Sequence, residues 1–539
     1  MSYEKVWANN EKLNQTEKNK LEKDGLEIFN DIPYYAENGF ESIPKEEWDA
    51  FKWAGLYLQR PKEAGYFMMR VNIPSGIITN AQAEVLASIA EDYGRDVIDI
   101  TTRQAIQFHW LEIQQIPDIF KRLARVGLSS AGACGDITRN ITGNPLAGID
   151  ANELFDTTHI VKEVYDYFQH NEEFSNLPRK FKMSISSNIY NSANAEINCV
   201  AFTPATKEID GEKKVGFHIK VGGGLSARPY LADELDVFVL PEEVKAVAIA
   251  IATIFRDFGY REKRHLARLK FLVADWGAEK FKEKLIEYTG PLQSKGESAL
   301  KGWNAGYFYG VQDQKQEGLK YVGFNVPVGR LHAEEMFEIA RIAKQYGNGQ
   351  IRTCNSQNFI IPNVPPKNEG LLSEPLFEAI SASPKSFIGH AVSCTGIEYC
   401  NLALVETKER LRKIAEYLDT QIALDVPVRI HMVGCPNSCG QRQIADIGLQ
   451  GVKMKTKEKG IVEAFEIYVG GTLLDGGAYN QKLKGKIDGE DLPDVLASFI
   501  SYFKENKLPA ETFYDFVGRV GVDTLQIALN TVLEEVIAS

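Results

Sequence analysis

A chain of 539 residues with 44% hydrophobic side chains is long enough for several domains with substantial cores and has an ordinary globular balance. Its formal charge of -12 argues against nucleic acid as the main partner, and no apolar run is long enough to span a bilayer, so neither a nucleic-acid nor a membrane partner is expected. Seven cysteines behind a polar, charged N-terminus without an export signal indicate a cytoplasmic protein whose thiols serve metal or redox chemistry rather than disulfides.

Residues 1–64 are polar with scattered aromatics (Trp48, Trp53, Tyr57) and read as an N-terminal extension of helices and irregular segments lying over the core. Over 65–135 a strand–helix–strand pattern begins. The run VNIPSGIITNAQAEVLASIAEDYGRDVIDITTRQ, from Val71, recurs without a gap as FNVPVGRLHAEEMFEIARIAKQYGNGQIRTCNSQ, from Phe324, at a constant offset of 253. The second copy defines a matching unit over 320–380.

The repeat continues into the segments that follow, 136–290 and 381–539. LPRKFKMSISSN, from Leu177, aligns with VPVRIHMVGCPN, from Val426, and FHIKVGGGL, from Phe217, with FEIYVGGTL, from Phe465. This alignment sets Cys435 against Ser186, Cys439 against Tyr190, and Lys182 against His431. Residues 291–319, rich in Gly, Ser, Gln and Lys, form the expected linker between two related halves.

The two halves differ in chemistry. The first carries Arg103 where the second has Ser356, and Lys180 and Lys182 on a repeated strand whose alternation puts both on one face, with Phe181 pointing into the core. Arg139 lies in ACGDITRNITGNP between them. Each cation alone reads as part of a solvated face; a two-fold relation between the halves would instead turn this set toward a cavity shared with the sulfur of the other half. VGGGLSA fits a weak dinucleotide fingerprint, but Arg228-Pro229 interrupts the helix that fingerprint requires, and a tight turn shared with Val469-Gly470-Gly471 competes with it. Cys134, Cys199 and Cys354 read as buried small side chains, and His109, His218 and His431 as core or supporting groups.

The second half concentrates four cysteines between Gly389 and Gly440: Cys394 and Cys400 with five residues between them, Cys435 and Cys439 with three. A helical period over Asn401–Leu418 and a strand period over Val426–Met432 bring the second pair back beside the first. Four soft thiolates suit a [4Fe-4S] cluster. Structural zinc is the alternative, although its paired ligands are usually two to four residues apart.

SCTGIEYCNLA together with GCPNSCGQ resembles the cluster signature of the sirohaem-dependent sulfite and nitrite reductases. The resemblance implies an α+β fold of two ferredoxin-like half-domains and two α/β cofactor-binding lobes related by a pseudo-two-fold. It implies that Cys394, Cys400, Cys435 and Cys439 hold a [4Fe-4S] cluster and that Cys439 also ligates the sirohaem iron. TTRQ, TRN and PRKFK align with the family's substrate pocket, which makes Arg103, Arg139, Lys180 and Lys182 the anion-binding, catalytic set. Arginine and lysine give charge-assisted hydrogen bonds to oxyanions and can pass protons to departing oxygen. Sirohaem's many carboxylates need further donors, for which Arg179, Lys220, Arg228, Arg264, Arg268, Lys270 and the backbone of Gly222, Gly223 and Gly224 are candidates. With no flavin or nicotinamide module evident, electrons are expected from ferredoxin or another small carrier. In the family, lysine at the position of Lys182 goes with sulfite and asparagine with nitrite, so six-electron reduction of sulfite to sulfide is expected first and nitrite to ammonia as the alternative. A non-catalytic four-cysteine metal-binding or electron-transfer protein is the more distant reading.

Overall fold

The structure, a computed structural model, describes residues 12–538; the first residues of the polar stretch behind the expected lack of an export signal lie outside them. In chain order the first half-domain contributes β1 (Leu56–Leu58), β2 (Phe67–Val71), β3 (Ile77–Thr79), β4 (Val97–Ile100) and β5 (Ile106–Leu111). The lobe after it contributes β6 (Met183–Ile185), β7 (Val200–Ile209), β8 (Glu212–Val221), β9 (Asp233–Val239) and β10 (Glu297–Ser298). The second half-domain repeats the first with β11 (Gly310–Asp313), β12 (Lys320–Phe324), β13 (Arg330–His332), β14 (Gln350–Thr353) and β15 (Phe359–Val364). The last lobe holds β16 (Ala391–Ser393), β17 (Ile430–Val433), β18 (Ile447–Thr456) and β19 (Gly460–Val469), with two short strands after them. The fold is α+β, with two ferredoxin-like half-domains and two mixed α/β lobes. No helix among the described residues is long and apolar enough to cross a membrane.

The half-domains exchange strands. The first sheet runs β1-β2-β5-β4-β13 and the second β11-β12-β15-β14-β3, so each is completed by a three-residue strand from the other copy. Leu331 pairs with Ile98, and Ile351 with Ile78. Ahead of each exchanged strand the chain turns through left-handed backbone at Ser75-Gly76 and at Val328-Gly329, equivalent positions of the repeat. Helices Asn80–Asp92 and Ala333–Tyr346 then pack on one another, and both bury small side chains, Ala83, Ala87 and Ala90 in the first and Ala340 and Ala343 in the second. The first begins at a capping box in which Thr79 and Gln82 each accept from the other's backbone N–H. Burying Leu86, Ile89, Met336 and Ile339 stabilises each helix far more than its propensity does.

Three sequence-based boundaries move. The N-terminal extension is part of the first core: Ile28, Phe51 and Leu56 are fully buried, and β1 edges the first sheet ahead of the expected boundary at residue 65. The linker 291–319 is structured at both ends, β10 pairing with β7 and β11 with β12. The helix expected over Asn401–Leu418 starts only at Lys408, because residues 401–407 wrap the cysteine loops instead. There Leu404 N donates to Gly434 O (2.8 Å), Thr407 Oγ1 donates to Cys394 O (2.7 Å), and Leu402 is 64% exposed.

The lobes are also related, at a different offset from the one the sequence alignment sets. Met183 pairs with Val200 as Ile430 pairs with Ile447, so β6 and β17 differ by 247 residues, not 249. Left-handed Asn191 and Asn194 recur at the same offset as Ser438 and Gln441. Cys435 is therefore the counterpart of Asn188, Cys439 of Ser192, and Lys182 of Arg429. A slip of two residues keeps every side chain on its own face, so alternation could not reveal it.

The shared glycine turn is a packing device in both lobes. A Cβ on Gly223 would lie 2.3 Å from Glu196 O and 2.5 Å from Asn198 O; one on Gly471 would lie 2.4 Å from Gln443 O and 2.7 Å from Ala445 O. Backbone cannot yield as a side-chain tip can. Gly223→Ala and Gly471→Ala are expected to destabilise by a similar amount, about 1–3 kcal/mol each, read as matched drops in urea midpoint. Loss of stability in one variant alone would mean the two turns are not equivalent.

Candidate active site

The four cysteines are carried by two parallel strands and the loops that leave them. β16 and β17 run side by side with Ser393 opposite Met432, and Cys394 N donates to Met432 O (3.2 Å). Gly434 N donates to Cys394 Sγ (3.2 Å), which draws the start of the second cysteine loop onto the first. Cys435 is buried, Cys394 and Cys400 half-buried, and Cys439 exposed. Burial pushes the Cys394 thiol up to about 12, with Cys439 adding to the effect; burial likewise raises Cys400 and Cys435, each with a contribution from Cys439. Cys439 is thus the electrostatic neighbour of the other three, and a cationic iron core is what would let the group ionise.

The first half reaches this loop directly. Thr102 Oγ1 donates to Cys439 O (2.9 Å), and Gln441 Nε2 donates to Thr102 O (3.3 Å). The next residue is Arg103, in the turn between β4 and β5. Paired glutamines set this turn and its counterpart: left-handed Gln104 accepts from Gly143 N (3.0 Å) in the first lobe, and left-handed Gln357 accepts from Ser393 N (2.9 Å) beside Cys394.

Arg103, Arg139, Lys180 and Lys182 line one cavity together with Cys394 and Cys439, around about 760 Å³ of empty volume. The two arginines are fixed by the fold. Arg139 donates to Ala133 O (3.2 Å) and twice to Gly135 O (3.1 and 2.7 Å), while Arg103 donates to Asn198 Oδ1 (2.7 Å), Asn140 O (2.7 Å) and Met183 O (3.1 Å). The lysines flank fully buried Phe181, and neither ammonium has a hydrogen-bond or ion-pair partner among the described residues. Burial pushes Lys180 down to about 7 and Lys182 well below its ordinary value, where Lys180 and Arg103 add their repulsion.

Several donors selected from sequence are engaged elsewhere. Arg179 (3.2 Å) and Arg264 (2.6 Å) pair with buried Asp136, and Lys220 pairs with Glu196 (2.9 Å). Lys270 donates to the carbonyls of Leu225 (2.9 Å) and Arg228 and so closes the turn behind Gly222, Gly223 and Gly224, whose glycines answer to packing. The Arg228 side chain is exposed and lies outside the cavity lining. Arg268 is 8% exposed and contacts Cys199. Charge alone marks these groups in the sequence, whereas the carboxylates and carbonyls that engage Arg179, Arg264, Lys220 and Lys270 are distant along the chain.

Sequence reasoning missed Arg70, Asn140 and Lys408, which line the same cavity. Arg70 had a signal: it stands where the second copy has Gly323, the same asymmetry that marks Arg103. Lys408 and Arg330 hold the Asp99 carboxyl well below the usual range against the opposing effect of burial. Around the cavity the buried Nε atoms of Arg70 and Arg103 and Oδ1 of Asn140 have no partner, beside the two unpartnered lysines. The unsatisfied arginine and lysine donors among them fit a polyanionic macrocycle and a small oxyanion, to which the Asn140 oxygen, an acceptor, adds nothing.

The family model described as the nitrite and sulphite reductase 4Fe-4S domain matches residues 134–291 and 386–536, and the ferredoxin-like half-domain model of the same reductases matches 59–126 and 312–374. A ferredoxin–nitrite reductase of Synechococcus elongatus is 43% identical, covering 92% of this chain and 97% of that protein. A sulfite reductase [ferredoxin] of Mycolicibacterium paratuberculosis is 35% identical over 96% and 98%. The solved structure of the Mycobacterium tuberculosis NirA protein, 33% identical, superposes with a TM-score of 0.90 over 97% of this chain and 99% of that one. The chain therefore belongs to the nitrite and sulfite reductase family, oxidoreductases that work with sirohaem and a [4Fe-4S] cluster.

Proposed function

We propose that this enzyme reduces nitrite to ammonia with electrons from ferredoxin or a similar small carrier. Cys394, Cys400, Cys435 and Cys439 would hold the cluster, Cys439 would be shared with the sirohaem iron, and Arg103, Arg139, Lys180 and Lys182 would bind the anion. The carrying observation is the single cavity that unites these cations with Cys394 and Cys439. Nitrite takes precedence over the sulfite first expected, because the relatives at 43% and 41% identity are both ferredoxin–nitrite reductases, ahead of the sulfite reductase at 35%. The division at residues 65, 136, 291, 320 and 381, with β1 added to the first half-domain, and a cytoplasmic setting complete the reading.

When bound, the sirohaem coupled to its cluster supplies electrons singly to the substrate. The chain supplies charge and protons. Arg139 and Arg103, locked by carbonyls, form preorganised positive charge that needs no rearrangement as the substrate gains electrons. Lys180 and Lys182 have no internal partner among the described residues and can follow the anion's oxygens. With Lys180 pushed down to about 7 by burial, it can take up and release a proton near neutral pH as each oxygen leaves as water.

Sulfite is the second reading, favoured by Lys182 itself: an added cation suits a more highly charged anion. Steady-state kinetics on both anions with reduced ferredoxin or viologen decide between them; a kcat/KM higher for sulfite would reverse the proposal. Lys182→Asn is expected to lower sulfite turnover about tenfold more than nitrite turnover, the scale of one charge-assisted hydrogen bond. Equal losses on the two anions would remove Lys182 from specificity.

A further inference from the structure

We propose that Cys199 is a positioning residue that keeps Lys182 available to the substrate anion, standing where the second copy of the fold has the carboxylate that neutralises its equivalent cation. The backbone establishes the equivalence. Val200 N donates to Lys182 O (3.2 Å) as Ile447 N donates to Arg429 O (3.0 Å), and Gly222 N donates to Cys199 O (2.9 Å) as Gly470 N donates to Asp446 O (2.9 Å). Lys182 thus matches Arg429, and Cys199 matches Asp446.

The two copies use the same frame in opposite ways. In the second, Asp446 takes Arg429 in a two-point pair (Nε–Oδ2 3.0 Å, Nη2–Oδ1 2.7 Å) and also accepts from Arg429 N (2.8 Å). That cation is closed off, its side chain 12% exposed. In the first copy the acid is replaced by a fully buried thiol. Cys199 Sγ accepts from Arg268 Nη2 (3.3 Å) and faces Lys180 O at 3.9 Å. Arg268 Nε is buried without a partner, and no carboxylate lies within ion-pairing distance of Lys182 or Arg268 among the described residues. A carboxylate at Cys199 would have two cations to satisfy and would remove both from the cavity's positive field. The small thiol fills the same space without doing so, and its pKa is lowered by Arg268 and Lys182 in spite of burial.

The inference rests on the reading of Lys182 as an anion ligand, and its test includes a measurement independent of turnover. In the holoenzyme, Cys199→Asp is compared with Cys199→Asn, equal in size and uncharged, and with Cys199→Ser. Cys199→Asp is expected to raise the KM for nitrite about tenfold with kcat within about threefold, and to slow acetylation of Lys182 by acetic anhydride, read by mass spectrometry, about fivefold. Cys199→Ser should keep both quantities within about threefold of the parent, and Cys199→Asn should fall nearer serine than aspartate. Equal damage from Asp and Asn would reduce Cys199 to a packing residue and overturn the proposal, as would unchanged KM and labelling in Cys199→Asp. If Cys199→Asp does not fold, the parent still decides: Lys182 should be acetylated faster than Lys220, which Glu196 holds, and equal rates overturn the proposal. Should the parent reduce neither anion, the functional reading fails while the labelling contrast still tests Cys199.

Discussion

Cys439→Ser is expected to abolish turnover of nitrite and sulfite, by at least about a thousandfold, and to lower the protein's iron and acid-labile sulfide content. A serine hydroxyl stays protonated where a thiol ionises and is too hard a donor for a soft iron–sulfur centre. The position has no substitute. Cys439 is exposed, adjoins the cavity, contributes to the raised pKa of all three other cysteines, and is joined by backbone to the Thr102 turn that presents Arg103. Because the contact with Thr102 uses the Cys439 carbonyl, serine leaves it intact, and the fold should survive, as far-ultraviolet circular dichroism would record. The decisive measurement is the visible spectrum with metal analysis and turnover on the same sample. A variant that keeps its haem-like absorption and its rate would end the assignment of Cys439 as the shared ligand.

Asp136→Asn should produce the largest loss of stability. Asp136 is fully buried and meets three cations: Lys20 (3.0 Å), Arg179 (3.2 Å) and Arg264 (2.6 Å). Lys20 also pairs with Glu17 (2.7 Å), itself joined to Arg261, so this carboxylate ties the N-terminal helix Gln15–Glu22 to the first lobe. Removing one partner of a buried pair leaves its cations uncompensated and costs about 3–5 kcal/mol; the lower end applies here because Arg179 and Arg264 keep about a third of their surface in water. The three cations hold Asp136 far below the ordinary 3.8 against the opposing effect of burial. Its contribution is therefore fully present above about pH 4 and is lost as pH falls through the depressed native value. Urea midpoints should separate parent and variant most at neutral pH and converge in acid. A difference under about 1 kcal/mol, or one unchanged between pH 7 and pH 3, would show that the network does not support the lobe.

The site was legible where its chemistry is local. Cys394 with Cys400 and Cys435 with Cys439 are marked by spacing, and Arg103 stands out because its repeat partner is Ser356; the same test applied to Arg70 and Gly323 would have found the missed arginine. The nearest-neighbour pattern of strand, capped helix and strand, repeated at an offset of 253, carries the duplication and the α+β class, because period and capping depend on residues a few positions apart.

What required the folded chain is everything set by distant partners. Period-two alternation cannot distinguish an offset of 247 from 249, so only the ladders β6–β7 and β17–β18 decide that Lys182 answers to Arg429. Nothing in the repeat indicates that β3 and β13 change sheets, since a three-residue strand is satisfied equally by either edge until the two helices pack. Lys182 and Lys220 are alike as letters; tertiary structure places Glu196 against Lys220 and leaves the Lys182 ammonium without a hydrogen-bond or ion-pair partner among the described residues.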